Sequence, residues 1–470
     1  MDLIKMNKEF PQGFLFGAST SSFQFEGGMY EGGRGPSVID NFRLSKEVTT
    51  FEHGSDHYHR WKEDIQLAHE CKLKSYRFSI CWSRILPQGN GEVNQNGLQF
   101  YRNILEELEK YDIEPIVTIY HFDYPQALVD QYGGWIDRKS IQDFVDYCEL
   151  LFREFGQYVK YWLTINEQDH VMRIPQRLGL TGKEENYHQL RYQANHNMCV
   201  ATSLAIKSCH EMCPNAKIGP ALSYLPVYPK DCNPTNVLAA QDVETLMVSY
   251  LTELHCKGVY PIRLWKYLSD REILPVIEDG DMELMRQYAP DYLAVNYYAT
   301  YTAEYLPATK EHPIGQVEGA LLPMAEYGVY AFSHNEKLPQ TKFGWTVDAV
   351  GLRILLENMY ERYNLPIMIT ENGFSHPDEF ENGTVIDDYR IEYIREHLLQ
   401  INLAINTGVE VIGYHLWSFI DLVSGREGFV KRYGLVYVNR DDFDLKDMNR
   451  YKKKSFKWYR NVIETRGLNL

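Results

Sequence analysis

The chain has 470 residues, a formal net charge of −16, and 44 % hydrophobic and 14 % aromatic residues. An acidic chain without a basic block argues against nucleic acid or an anionic membrane as the main partner. No stretch approaches the roughly 18 apolar residues of a membrane span.

Eight cysteines scatter without framework spacing, as reduced, buried thiols do. The amino end MDLIKMNKEF carries no secretory pattern, so a cytoplasmic protein is expected.

In chain order, the first apolar run, GFLFGAS, continues into SSFQFEGG and offers Gln24. A helical pattern follows near 58–72. It opens on DHYHRWKED, where His57 and His59 are two apart, a spacing that does not put both on one helical face. A structural role, not a metal site, is expected there. The second run, SYRFSI, carries Arg77 and precedes a helix near 97–110. The third, EPIVTIYH, delivers His121 at its end.

Next, Ile141, Phe144, Val145, Cys148, Leu151, Phe152 and Phe155 recur on one helical face. The fourth run, YWLTINE, finishes on Asn166 and Glu167. CHEMC (Cys209–Cys213) is a single pair and reads as structural thiols. AKIGPALS is the fifth run, and DYLAVNYY, the sixth, offers Asn296 and Tyr298.

A long Gly/Pro/Tyr-rich insertion then runs to a helix near 348 and reads as an active-site loop. PIMITENG, the seventh run, ends on Glu371 and Asn372. Ile391, Ile394, Leu398, Ile401 and Ile405 form another helical face, and VIGYHLWSF, the eighth run, carries Trp417. Beyond it, DLVSGREGFVKRYG brings together three groups that suit an anion, Ser424, Lys431 and Tyr433. The tail YKKKSFKWYR reads as the solvated face of a last helix.

Nearly continuous apolar runs are the mark of strands buried on both faces. Eight of them alternating with helices predict an α/β fold, a single (β/α)8 TIM barrel with long βα loops, as one domain over 1–470. Polar residues at the carboxy ends of the strands then form the active site. Glu167 and Glu371 facing one cavity suit glycoside hydrolysis, in which one carboxyl protonates the leaving oxygen and the other attacks or activates water. Amides, an imidazole and an indole are a hydroxyl-reading set. Arg77 and Tyr298 beside a carboxylate would hold it ionised.

The segments FLFGASTSSFQFEGG, DHYHRWKEDI, YRFSICWSRILP, LTINE, NYY, ITENG and GYHLWSFID, in that order, resemble the signatures of glycoside hydrolase family 1. These are retaining β-glycosidases on a (β/α)8 barrel. The resemblance implies Glu167 as general acid/base, protonated at rest, and Glu371 as the nucleophile that forms a glycosyl-enzyme. It gives Asn166 the sugar 2-hydroxyl, and Gln24, His121 and Trp417 the other hydroxyls. Arg77, Tyr298 and Asn296 support the catalytic pair, and Trp345 looks like the aglycone-side platform. No metal or cofactor is implied.

Two departures carry substrate information. Family members acting on plain glucosides have Glu-Trp shortly after the eighth strand, and this chain has Ser424 and Gly425 there. A carboxylate would repel a phosphate dianion, whereas Ser424, Lys431 and Tyr433 can all donate to one. This resembles the family's 6-phospho-β-glycosidases. Gly425, where the galacto branch tends to have Trp, tilts the reading to gluco; Phe122, where plain glucosidases usually have Trp, agrees.

The expected partner is a small phosphorylated β-glycoside. A 6-phospho-β-galactosidase or dual-specificity enzyme is the nearest rival, ahead of a plain β-glucosidase and of a non-catalytic sugar-binding barrel. Oligomeric state stays open, a homo-oligomer included.

Overall fold

The computed structural model describes residues 9–40, 42, 46–309 and 325–470. Eight parallel strands close a barrel: β1 (Leu15–Ser19), β2 (Ser75–Ser79), β3 (Glu114–Tyr120), β4 (Tyr161–Asn166), β5 (Lys217–Ser223), β6 (Leu293–Asn296), β7 (Ile367–Asn372) and β8 (Val411–Trp417). Each pairs with its sequence neighbours, and β8 closes on β1 through Leu15–Gly413 to Ser19–Trp417. All eight apolar runs of the sequence are these strands.

Inside the barrel, Ile116, Leu163, Ala221, Tyr292, Ala294 and Met368 form a small core. A larger apolar layer separates the strands from the outer helices. Helix Lys139–Phe155 shows how that layer forms. Its predicted face, Ile141 to Phe155, is entirely buried, and each buried Ile, Leu or Phe there contributes about 1.5–3 kcal/mol. Helices His57–Glu70, Gln95–Lys110, Ala349–Tyr363 and Asp388–Asn406 lie where the periodicity put them.

Three details differ from the sequence reading. The insertion after β6 is partly a sheet, because Tyr301–Glu304, Ala325–Glu326 and Tyr330–Phe332 join Val227–Pro229 in a four-stranded layer. Strands of two to four residues are too short to show a period; part of the insertion, 310–324, lies outside the described residues.

Within the basic tail, Lys453 is not solvated. It is buried just before the last helix (Lys454–Glu464) and pairs with Asp378 and Asp421. Of the eight cysteines, which are all free, Cys232 is exposed and Cys256 only partly buried. Among the described residues no helix is long and apolar enough to cross a membrane.

Candidate active site

Both glutamates stand at β-bulges. The β4–β5 register shifts between Leu163 and Asn166, and the β6–β7 register shifts between Ile369 and Glu371. Bulges re-aim side chains at barrel rims. Glu167 itself takes φ 44°, and Phe122, just past β3, takes φ 70°. Left-handed backbone at a non-glycine residue is unfavourable and concentrates at functional sites. Glycine is required just beyond Glu371, since a Cβ on Gly373 would lie 1.8 Å from the Trp417 carbonyl oxygen.

From these tips one hydrogen-bonded network spans the barrel mouth. Arg77 Nη1 pairs with Glu371 Oε1, Arg77 Nη2 donates to Asn166 Oδ1 at 2.7 Å, and Nε donates to Thr118 at 2.9 Å. Tyr298 donates to Glu371 Oε2 at 2.7 Å. Asn296 Nδ2 donates to Glu167 Oε1 at 3.0 Å and to Asn166 Oδ1 at 3.1 Å. Asn166 Nδ2 in turn donates to His121 Nε2 at 3.0 Å. Burial, then Arg77, holds His121 well below the usual imidazole range, so it stays neutral and can accept.

Trp417 stacks near His121, ring centroids 6.1 Å apart. Gln24 is tied at both ends: it donates to the Val423 carbonyl at 2.8 Å and accepts from Ser21 at 2.7 Å. Eight of the predicted residues thus meet in one place, and Gln24 braces the loop that leads to Ser424.

The two carboxyls are shifted in opposite directions. Burial pushes Glu371 up to about 7, Glu167's charge adds to the rise, and Arg77 and Tyr298 pull against it. Burial also opposes the charge on Glu167, but His170, whose Nδ1 stands 2.8 Å from Glu167 Oε2, and Asn296 bring it down to about 2.

In this arrangement Glu371 is pushed toward its neutral form and Glu167 toward its ionised form, the reverse of the assignment that the family resemblance implies. His170, held against Glu167 Oε2, is the main cause. Arg77 and Tyr298 pull Glu371 toward its ionised form, and burial pulls Glu167 toward its neutral form. Removing His170 takes away a group that lowers Glu167, so the acid form persists to higher pH. His170→Gln is therefore expected to move the alkaline limb of the kcat/KM pH profile upward; an unmoved limb would exclude His170 as its determinant.

Past β8, Asp421 organises the next loop. Its Oδ1 accepts from Gly434 N (2.9 Å) and Lys453 Nζ (2.7 Å), and its Oδ2 from Arg432 Nη1 (2.9 Å). Arg432, a cation of the stretch, is thereby committed to the scaffold. Lys431 and Tyr433 are both buried. Lys431 Nζ lies 3.9 Å from the Trp345 ring centroid, 4.8 Å from Phe343 and 5.9 Å from Tyr433. Burial pushes its ammonium down to about 8, against the pull of Glu427.

Trp345 also meets Tyr298 at 5.3 Å. It therefore stands at the junction between the carboxylate pair and Lys431. A Cβ on Gly425 would meet nothing within 4 Å, so the space beside Ser424 is open.

Four contributors were not read from the sequence. Besides His170 and Asp421, Arg177 stacks on Phe122 (3.4 Å to the ring centroid), and Glu427 contacts both Ser424 and Lys431. Asp421 and Glu427 lie within quoted segments but carry no signal of their role there, and His170 and Arg177 lie outside them; only the positions of β4 and of the loop after β8 bring them in. His57 bonds Asp64 at 2.8 Å, and His59 bonds Asp56 and Glu31, which gives both histidines carboxylate partners in the fold.

The model of the family described as "Glycosyl hydrolase family 1" matches residues 6–468. A Bacillus subtilis (strain 168) protein, "Aryl-phospho-beta-D-glucosidase BglC", is 43 % identical over 98 % of this chain and 99 % of its own. The Escherichia coli (strain K12) "6-phospho-beta-glucosidase AscB" is 37 % identical over the same shares. Among solved structures, the family 1 β-glucosidase of Thermotoga maritima superposes with a TM-score of 0.87 at 33 % identity, over 98 % of this chain and 99 % of that one.

Proposed function

The chain belongs to glycosyl hydrolase family 1, and from that premise we propose that it is a retaining 6-phospho-β-glucosidase. Its substrates would be phosphorylated cellobiose-like or aryl β-glucosides. One observation carries the phosphate assignment. Tyr298 bonds Glu371 at 2.7 Å, its ring meets Trp345 at 5.3 Å, and Trp345 meets Lys431 at 3.9 Å. A buried ammonium thus stands one aromatic layer away from the nucleophile, the setting a 6-phosphate needs when C1 faces Glu371. The activities named for the two bacterial relatives support the same reading.

In the mechanism, Glu371 attacks the anomeric carbon, the bond to the leaving oxygen breaks, and Glu167 gives that oxygen its proton. A glycosyl ester on Glu371 results. Water then attacks the same carbon, Glu167 takes its proton back, and Glu371 departs, with net retention. Arg77 and Tyr298 favour the ionised form of Glu371 and hold its carboxylate in place. Asn166, His121 and Trp417 line the sugar's hydroxyl edge, with Phe122 beside them; Gln24 holds the backbone below. Ser424, Lys431 and Tyr433 receive the phosphate.

Open space at Gly425 leaves no stacking wall, which favours gluco over galacto epimers and permits some galacto turnover. A phosphorylated sugar does not cross a membrane unaided, so the cytoplasm is where such a substrate would be met.

The test compares nitrophenyl β-glucoside, its 6-phosphate and the galacto 6-phosphate. The gluco 6-phosphate is expected to have the highest kcat/KM. Faster turnover of the unphosphorylated glucoside would overturn the phosphate reading.

A further inference from the structure

Within the seat assigned to the phosphate there is already an anion. Glu427 Oε2 accepts from Ser424 Oγ at 2.9 Å and pairs with Lys431 Nζ at 3.2 Å, so two of the three donors converge on one carboxylate oxygen. The Lys431 side chain is 1 % exposed and that of Glu427 25 % exposed, which places the carboxylate on the solvent side of the ammonium, capping it. A lysine this deeply buried needs a counter-ion. A phosphate dianion approaching Ser424 and Lys431 meets the carboxylate as a like charge competing for the same donors.

The loop's backbone is pinned. Ser424 N donates to the Gly428 carbonyl at 3.0 Å, and Phe429 N donates to Asp442 at 2.9 Å. Gly428 takes φ +68°, and a Cβ there would lie 2.1 Å from the Asp442 carboxylate. Yielding therefore falls to the Glu427 side chain, which can rotate toward solvent or into the open space beside Gly425.

We propose that Glu427 is a resident counter-ion of the 6-phosphate seat, displaced by the substrate's phosphate, and so a specificity-determining residue that weakens phosphosugar binding. The proposal rests on the phosphate reading above. In it, Glu427 neutralises Lys431 between turnovers and returns to it as glucose 6-phosphate leaves. An anion therefore binds only by out-competing a carboxylate already in place, a filter that a phosphate dianion passes more readily than a monoanion.

The experiment measures competitive inhibition by glucose 6-phosphate and by glucose in wild-type protein and in Glu427→Gln, Glu427→Asp and Lys431→Met. Glu427→Gln is expected to lower the inhibition constant of glucose 6-phosphate about 5–10-fold and leave that of glucose unchanged. Glu427→Asp, whose shorter side chain reaches the donors less well, should do the same to a smaller extent and serves where the Gln variant folds poorly. An unchanged or raised constant for glucose 6-phosphate in both Glu427 variants overturns the displacement. The Lys431→Met arm separates the two ideas. If it weakens glucose 6-phosphate while the Glu427 variants change nothing, only the displacement fails. If it leaves glucose 6-phosphate no weaker, the phosphate reading and the displacement fall together.

Discussion

Glu371→Gln is expected to lower kcat by at least about 10⁴-fold, because an amide oxygen cannot form the glycosyl ester on which both half-reactions depend. The substitution is nearly isosteric. The amide can still accept from Tyr298 or Arg77, and Arg77 keeps its bonds to Asn166 and Thr118. Binding of phosphosugar should therefore survive, so that the loss appears in kcat and not in KM.

The deciding measurement is the intact mass after incubation with a 2-deoxy-2-fluoro β-glucoside 6-phosphate carrying a good leaving group. Wild-type protein should gain the mass of the fluorosugar phosphate, and the variant should not. An adduct on the variant would move the nucleophile to another residue. Loss of the Glu371 charge also leaves the fully buried Arg77 guanidinium without its carboxylate partner, so a lower Tm is expected as well.

Ser424→Glu should carry the second largest effect, and it acts on substrate choice. The change removes a hydroxyl donor and adds a carboxylate beside Glu427, whose Oε2 is 2.9 Å from the present Oγ. Two carboxylates in that space repel a dianion by several kcal/mol, which corresponds to a loss of about 10²–10⁴-fold in kcat/KM for phosphorylated substrate. The unphosphorylated glucoside carries no charge to repel, and its hydroxyls can donate to the new acceptor. Its kcat/KM should hold or rise, so the ratio of the two substrates should fall steeply. The ratio is the readout, since a merely damaged site would lower both. An unchanged KM for the phosphorylated substrate would mean that the phosphate binds elsewhere.

The barrel was legible in the sequence because its signal is local. A strand covered on both faces must be apolar along its length, and eight such runs alternating with amphipathic helices leave little choice of architecture. Glu167, Glu371, Asn166, Asn296 and His121 were legible for a related reason: a polar residue at the end of an apolar run in a parallel barrel comes to the mouth, whereas Arg77 lies within its strand and reaches Glu371 through its long side chain. Ser424, Lys431 and Tyr433 followed from their place after β8.

What the tertiary structure decided concerns groups whose partners lie on other elements or across a turn. Lys453, within a run of basic residues that reads as solvated, is buried because Asp378 and Asp421 converge on it from elsewhere in the chain. His170 matters because the bulge at the end of β4 and the left-handed Glu167 turn the next helix back onto the carboxyl. Trp345 reaches Lys431 and Tyr298 together only once the insertion folds over the barrel mouth. Glu427 was in plain view within the anion-binding stretch, yet its sign opposed the pattern there. Charge counted along a chain is additive, whereas charge in a folded site depends on which oxygen faces which nitrogen. Only the fold sets that distance.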